Sequence, residues 1–316
     1  SSFSLFYHQK LLEKLKDKNE QNITILYEEN ITKEIFRIAT KDYTFPVVIK
    51  GSSKSFEAVT KWNNISWWIE NYGDEEVLCK DIRDGIAVAS CTIKETLFPK
   101  DIQYYIVGDA KIFNRHKDLE RMLFTPQLED LIPGKHVFTQ LFMGYGGMGS
   151  DVHSALGCNL FRQVVGKKKW WVFPPSQTPY LLPSLNKNGL SVYTMTKLGS
   201  GKVGTAPSPW LNKLERYTVT LEPGDIFFDA PWFWHGVENI GSSDDLVIGT
   251  AVRYATPRFQ ASFKNNWILT LIGVASIAKQ YGVEKFLSSS ESFQESLEKS
   301  RNIQANRFRA TQENDD

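Results

Sequence analysis

Cysteine is nearly absent from this chain: Cys79, Cys91 and Cys158 are the only three in 316 residues. The number is odd and no Cys-x-x-Cys occurs. Neither a disulfide framework nor a structural zinc site is therefore expected. Net charge is missing as well, since 37 basic and 36 acidic residues leave +1. No long-range field then draws in nucleic acid or an anionic membrane. Long apolar runs are lacking; the longest, Trp267 to Ala278, is too short to span a bilayer and meets Lys279. Internal repeats and low-complexity tracts are absent. Nothing at the start reads as a signal peptide. Because Ser1 rather than Met opens the chain, a trimmed upstream segment is expected, and an intracellular placement is favoured.

Aromatic residues are plentiful, at 13% with 9 Trp and 20 Phe, which favours a thick β-rich core. Three Asn-x-Ser/Thr triplets begin at Asn22, Asn30 and Asn64, about as many as chance supplies. Residues 1–36 read as polar, amphipathic helix. Phe45 to Gly51 is a short β-rich run, and Trp62 to Tyr72 is helical until Gly73-Asp74. Val77 to Cys79 and Ile86 to Ile93 alternate like strands, and Lys117 to Leu123 reads as helix. From Val137 the pattern turns β. Gly144 to Gly149 requires a tight loop or bulge. Leu160 to Val165 and Lys169 to Phe173 read as a hairpin around Gly166-Lys167. Residues 176–216 read as a long functional loop or lid. Tyr217–Leu221, Asp225–Asp229, Gly236–Asn239 and Leu246–Tyr254 add four strands at the short spacing of a barrel or jelly roll. After Pro257, Trp267 to Lys279 and Glu291 to Arg309 read as helices. The organisation is thus an N-terminal helical segment (1–36), a β domain (37–256) and a helical C-terminal extension (257–316).

Two histidines sit in distinctive surroundings. His153 lies in Gly149-Ser-Asp-Val-His153-Ser-Ala155, and His235 lies in Pro231-Trp-Phe-Trp-His235-Gly-Val-Glu238. Between them come Asn159, Gln163, Gly166, Lys168 and Trp170-Trp171-Val172-Phe173-Pro174-Pro175. Pro223-Gly224-Asp225 precedes the second histidine. This order, together with Pro46 to Gly51, Lys61-Trp62 and Asn71 to Asp74, resembles the JmjC-type cupin oxygenases over Phe45 to Tyr254. The early pieces are similar to the asparaginyl-hydroxylase-like branch. The resemblance implies a double-stranded β-helix, or jelly-roll cupin barrel, with helices before and after it. It implies Fe(II) and 2-oxoglutarate as cofactors. His153 falls on the first metal ligand and His235 on the last. Lys168 and Ser150 fall where the distal carboxylate of 2-oxoglutarate is held, and an ammonium is a sensible partner for a buried carboxylate. Asn159 falls on a position supporting that site. Tyr145 and Arg253 are candidates to line it.

The chain departs from the resemblance in one decisive place. Two residues after His153, where the family carries a carboxylate ligand, stands Ala155. Asp151 lies two residues before His153 and would share its face on an extended strand, which makes it a weak candidate for the third ligand. Arg253-Tyr254 stands where the family often has Asn and an aromatic, adding a cation near the metal site. Three readings follow. One is an oxygenase that hydroxylates a protein side chain from a non-standard metal site. Another is a pseudoenzyme that binds a peptide, a small acid or a partner without turnover. The third is an iron halogenase with the halide at the Ala155 vacancy. A protein or peptide is the expected partner. A homodimer through the C-terminal helices is the expectation carried over from related hydroxylases.

Overall fold

A computed structural model describes residues 10, 13–81, 88–99, 103–124, 128, 130–132, 136–185, 191–194, 213–254 and 259–288. The described strands, in chain order, are β1 (Gln21–Asn22), β2 (Thr24–Tyr27), β3 (Val47–Lys50), β4 (Glu76–Asp81), β5 (Val88–Thr92), β6 (Tyr104–Asp109), β7 (His136–Tyr145) and β8 (Gly149–Ala155). They continue with β9 (Cys158–Val165), β10 (Lys167–Phe173), β11 (Pro183–Leu185), β12 (Ser191–Thr194), β13 (Tyr217–Leu221), β14 (Ile226–Asp229), β15 (Trp234–Ile240) and β16 (Leu246–Tyr254). Seven of them form one sheet in the order β1-β13-β10-β15-β8-β12-β11, and nine form another in the order β2-β3-β14-β9-β16-β7-β6-β4-β5. The mainly β, jelly-roll-type cupin architecture is as the sequence led one to expect, built as two large facing sheets.

The two sheets bury themselves differently, and the sequence shows why. Strand β9 is buried along its whole length and sits inside the nine-stranded sheet, between β14 and β16. Strand β10 alternates instead: Lys167 is exposed, Lys168 and Trp170 are buried, and Lys169 and Trp171 lie between. One face of its sheet therefore looks inward and the other outward. Trp170 of β10 reaches across to Phe161 of β9 and Phe227 of β14, with ring centroids 4.9 and 4.7 Å apart. Burying a large apolar side chain is worth about 1.5–3 kcal/mol, so these rings help hold the sheets together.

Several local expectations are corrected. Strands β9 and β10 do not form a hairpin. They belong to different sheets, and Gly166, at φ +65°, turns the chain from one to the other. A Cβ there would come within 2.6 Å of the Leu246 carbonyl oxygen, so the crossover requires glycine. Within 1–36, strands β1 and β2 pair in parallel with β13 and β3, and a described helix spans Lys33–Ala39. Both strands are largely exposed, and backbone pairing with the sheet edges outweighs the helical pattern. Strand β6 was not foreseen. The segment 176–216 holds β11 and β12, which extend the seven-stranded sheet beyond β8; residues 186–190 and 195–212 lie outside the described ones.

The C-terminal helix runs Phe259–Ser288, longer than expected, while Glu291 to Arg309 lies outside the described residues. One of its faces packs back on the domain. Ser262 Oγ donates to the Leu156 carbonyl at 2.9 Å, and Asn265 Nδ2 donates to Thr44 and Pro231 carbonyls at 2.9 and 2.7 Å. The opposite face leaves Trp267, Ile268, Leu271 and Ile272 exposed. Among the described residues no helix is long and apolar enough to cross a membrane.

Candidate functional site

Strands β8 and β15 run antiparallel with His153 directly opposite His235. Directly paired residues share a face, so the register alone brings the imidazoles together. Their ring centroids are 4.3 Å apart, inclined at 62°. Each ring is tied from behind by the carbonyl two residues earlier: His153 Nδ1 to Asp151 O at 2.8 Å, His235 Nδ1 to Phe233 O at 3.3 Å. A carbonyl only accepts, so each Nδ1 carries the proton and each Nε2 carries the lone pair. That is the tautomer a metal ligand needs. Trp170 stands 5.4 Å behind His235, and Tyr193 of β12 stacks on His153 at 5.5 Å and 18°.

The turn that aims His235 is strained. Trp232 sits at φ +61°, a left-handed conformation unusual for a bulky residue. Three contacts hold it there. Its amide donates to the Ala155 carbonyl at 2.8 Å, its indole donates to Thr270 Oγ1 at 2.8 Å, and its side chain is fully buried. The C-terminal helix thus buttresses the site as well as presenting an exposed face.

The third ligand is where the site is short. Ala155 lies on the His153 face of β8 and brings no donor atom. Asp151 shares that face, but its carboxylate is 41% exposed and lies 3.9 Å from Lys80 Nζ. Burial holds the Lys80 ammonium below the usual lysine range, and Asp151 partly offsets this. Among the described residues no three His, Cys, Asp or Glu side chains gather as a metal-holding group, so Asp151 does not close a triad with the imidazoles here. Two nitrogens presenting Nε2 side by side fit a divalent ion, with the anionic donor lacking.

Lys168 occupies the inward face of β10, level with Asn239 of β15 and on the same side as His235. It is 1% exposed. Its Nζ donates to Tyr105 Oη at 3.1 Å and lies over the rings of Tyr105, Phe142 and Phe161. Ser150 hydrogen-bonds the same phenol, whose own ionisation burial pushes up. Burial brings Lys168 down to about 7, with no carboxylate offsetting it. By contrast, Lys167 pairs with Glu222 at 2.6 Å and Lys169 lies over the Trp171 ring. A buried ammonium without a counter-charge is a socket for an anion.

The remaining site candidates divide. Asn159 is buried, and its Nδ2 donates to Asp229 Oδ2 at 2.8 Å. Arg253 is level with Asn159 on β16, and its Nε donates to Gln140 Oε1 at 3.0 Å. Tyr145 does not line the site. Its hydroxyl donates to the Leu97 carbonyl at 2.6 Å, toward the Ile93–Leu97 helix. Its neighbour Gly144 takes the inward position, where a Cβ would meet Tyr105 at 2.7 Å. Alternation along β7 therefore sends Tyr145 outward. Tyr105, Tyr193 and Asp229 were missed. Tyr105 gave the only usable signal, as the inward member of Tyr104-Tyr105 on a strand that was not recognised.

A family profile described as Cupin-like domain matches residues 94–254, about half the chain and all the strands that carry this site. The chain belongs to the Cupin-like domain family. Within this Cupin-like group, HSPB1-associated protein 1 of Homo sapiens is 36% identical over 102 residues, covering 32% of this chain and 20% of that protein. The zebrafish (Danio rerio) homolog of that protein is 34% identical over 85 residues, 27% of this chain and 18% of its own. Lysine-specific demethylase JMJ30 of Arabidopsis thaliana is 22% identical over 208 residues, 63% of this chain and 48% of that protein. The matched stretch spans about a fifth of the length of the HSPB1-associated proteins. These relatives mark the Cupin-like domain as the JmjC kind, whose members generally use Fe(II) and 2-oxoglutarate.

Proposed function

We propose that this chain is a JmjC-type oxygenase of the asparaginyl-hydroxylase-like branch that hydroxylates a protein side chain from a two-histidine metal site. The observation that carries the reading is Lys168, a buried ammonium with no acidic partner among the described residues, on the same inward face as His235. His153 and His235 would hold Fe(II). Lys168, Tyr105 and Ser150 would take the distal carboxylate of 2-oxoglutarate, and Asn159 supports the site through Asp229. Iron(II) with 2-oxoglutarate, when bound, would activate dioxygen, the oxidant that removes hydrogen from an unactivated carbon, with 2-oxoglutarate consumed to succinate and carbon dioxide. The chain's own residues do the rest: Lys168 neutralises the incoming carboxylate, the backbone carbonyls fix both imidazole tautomers, and Tyr193 covers His153. Ala155 marks the place left by the family's carboxylate, with water completing the shell. A protein substrate agrees with both kinds of relative, one named for association with HSPB1 and one for demethylating lysine.

A second reading, a pseudoenzyme that binds without turnover, is favoured by the missing carboxylate donor at Ala155. Titrating 2-oxoglutarate into the oxygen-free, Fe(II)-loaded chain, then admitting air and assaying succinate, separates the two. The oxygenase binds and yields succinate; the pseudoenzyme binds and yields none. A chain that takes up neither iron nor 2-oxoglutarate overturns both.

A further inference from the structure

The carboxylate missing beside the two imidazoles has a counterpart behind one of them. Asp229, the last residue of β14, is 2% exposed. Its Oδ2 accepts from Asn159 Nδ2 at 2.8 Å. Its Oδ1 accepts no hydrogen bond at all, although it is buried. That atom lies 3.4 Å from His235 Nδ1, with both side chains under 5% exposed. The Nδ1 proton is held only loosely by the Phe233 carbonyl, at 3.3 Å. An unpaired buried carboxylate oxygen is costly, and the His235 Nδ1–H stands close enough to satisfy it.

Resting on the metal reading above, the geometry points to Asp229 as a positioning residue that acts on the metal through His235. The Asp229 carboxylate accepts the hydrogen bond that the His235 Nδ1–H donates when Nε2 is occupied. The pair then makes the imidazole a stronger, partly anionic ligand. The negative charge that Ala155 fails to place beside the ion is supplied one ring away. Asp229 lies nearest Nδ1, on the side of the ring away from the lone pair, so it is not itself a ligand. Asn159 holds its other oxygen and so fixes the direction in which Oδ1 points.

Cobalt(II), stable in air, is the probe, titrated into the complete chain and followed by its visible absorption. Asp229→Asn keeps shape and removes charge, so the expected result is a 10- to 100-fold weaker cobalt affinity. The metal-free melting temperature should change little. The loss should shrink when Ala155→Asp is added, because a direct carboxylate makes the indirect one less important. Cobalt affinity within twofold of wild type in Asp229→Asn overturns the inference. Should that variant not fold, the zinc-loaded wild-type chain decides by nuclear magnetic resonance. A slowly exchanging, far-downfield His235 Nδ1 proton is expected, and a rapidly exchanging one overturns it. A wild-type chain that takes up no cobalt, like His153→Ala and His235→Ala, removes the metal reading and this inference together.

Discussion

The two ends of the site treat buried charge in opposite ways. At one end Lys168 is a cation enclosed by aromatic rings and a phenol, with no acid to neutralise it among the described residues. At the other, the acid is present in Asp229, but it stands behind His235, and Ala155 leaves the front without a carboxylate. The Lys168 end is incomplete without an anion and the histidine end is incomplete without a cation. On the proposed reading, a chelating small acid bound to a divalent ion would answer both needs at once.

Removing an imidazole should break the metal end completely. His235→Ala is expected to lower divalent-ion affinity by more than about a hundredfold, beyond what loss of a supporting residue costs. Cobalt titration measures it, and Lys168 chemistry should be untouched. An equal loss of metal-free 2-oxoglutarate binding would show that the two ends are not separable.

Lys168→Met tests the other end. The loss of a charged hydrogen bond, roughly 1.5–3 kcal/mol, should weaken 2-oxoglutarate by about ten- to a hundredfold. The same change carries a pH signature. Burial lowers Lys168 to about 7 from its ordinary value near 10.5. Between those values the unfolded chain holds a proton that the folded one lacks, so ligand-free stability should rise with pH across that window and level off below it. Melting curves from pH 6 to 9 should show the slope in wild type and a reduced slope in Lys168→Met. An unchanged slope would mean that the ammonium is solvated.

Ala155→Asp should sharpen the comparison by restoring charge at the front. Iron affinity is expected to rise, by about tenfold on the scale of a single supporting interaction. If the natural chain already binds as tightly, another group completes its shell, and Asp151→Ala should then release the metal.

The smallest effect concerns the C-terminal helix. Ending the chain near residue 257 removes Thr270 from the Trp232 indole and Asn265 from the Pro231 carbonyl. Loss of such buried bonds costs about 1–3 kcal/mol each, and cobalt affinity should fall with the slackened turn. Light scattering on the full chain tests whether the exposed Trp267, Ile268, Leu271 and Ile272 face joins two copies. A monomer at high concentration rules the homodimer out.

The sequence determined the fold class, the two histidines and the inward lysine. Their signals are local: a strand's alternation sets which of Lys167, Lys168 and Lys169 is buried, and short motifs surround each imidazole. It also placed Ala155, which has no donor atom, two residues after His153. Only the tertiary structure decided what surrounds them. Gly166 hands the chain between sheets, a choice that a hairpin-like pattern hides because crossover and turn use the same residue. Tyr105 and Tyr193 come from strands distant in sequence from the histidines, and only the Tyr104-Tyr105 pair carries a local signal. Asp229 meets His235 because β14 and β15 are consecutive strands placed in opposite sheets, so their inward faces oppose each other. Pairing across an interior is set by register and sheet order, which are properties of the whole chain.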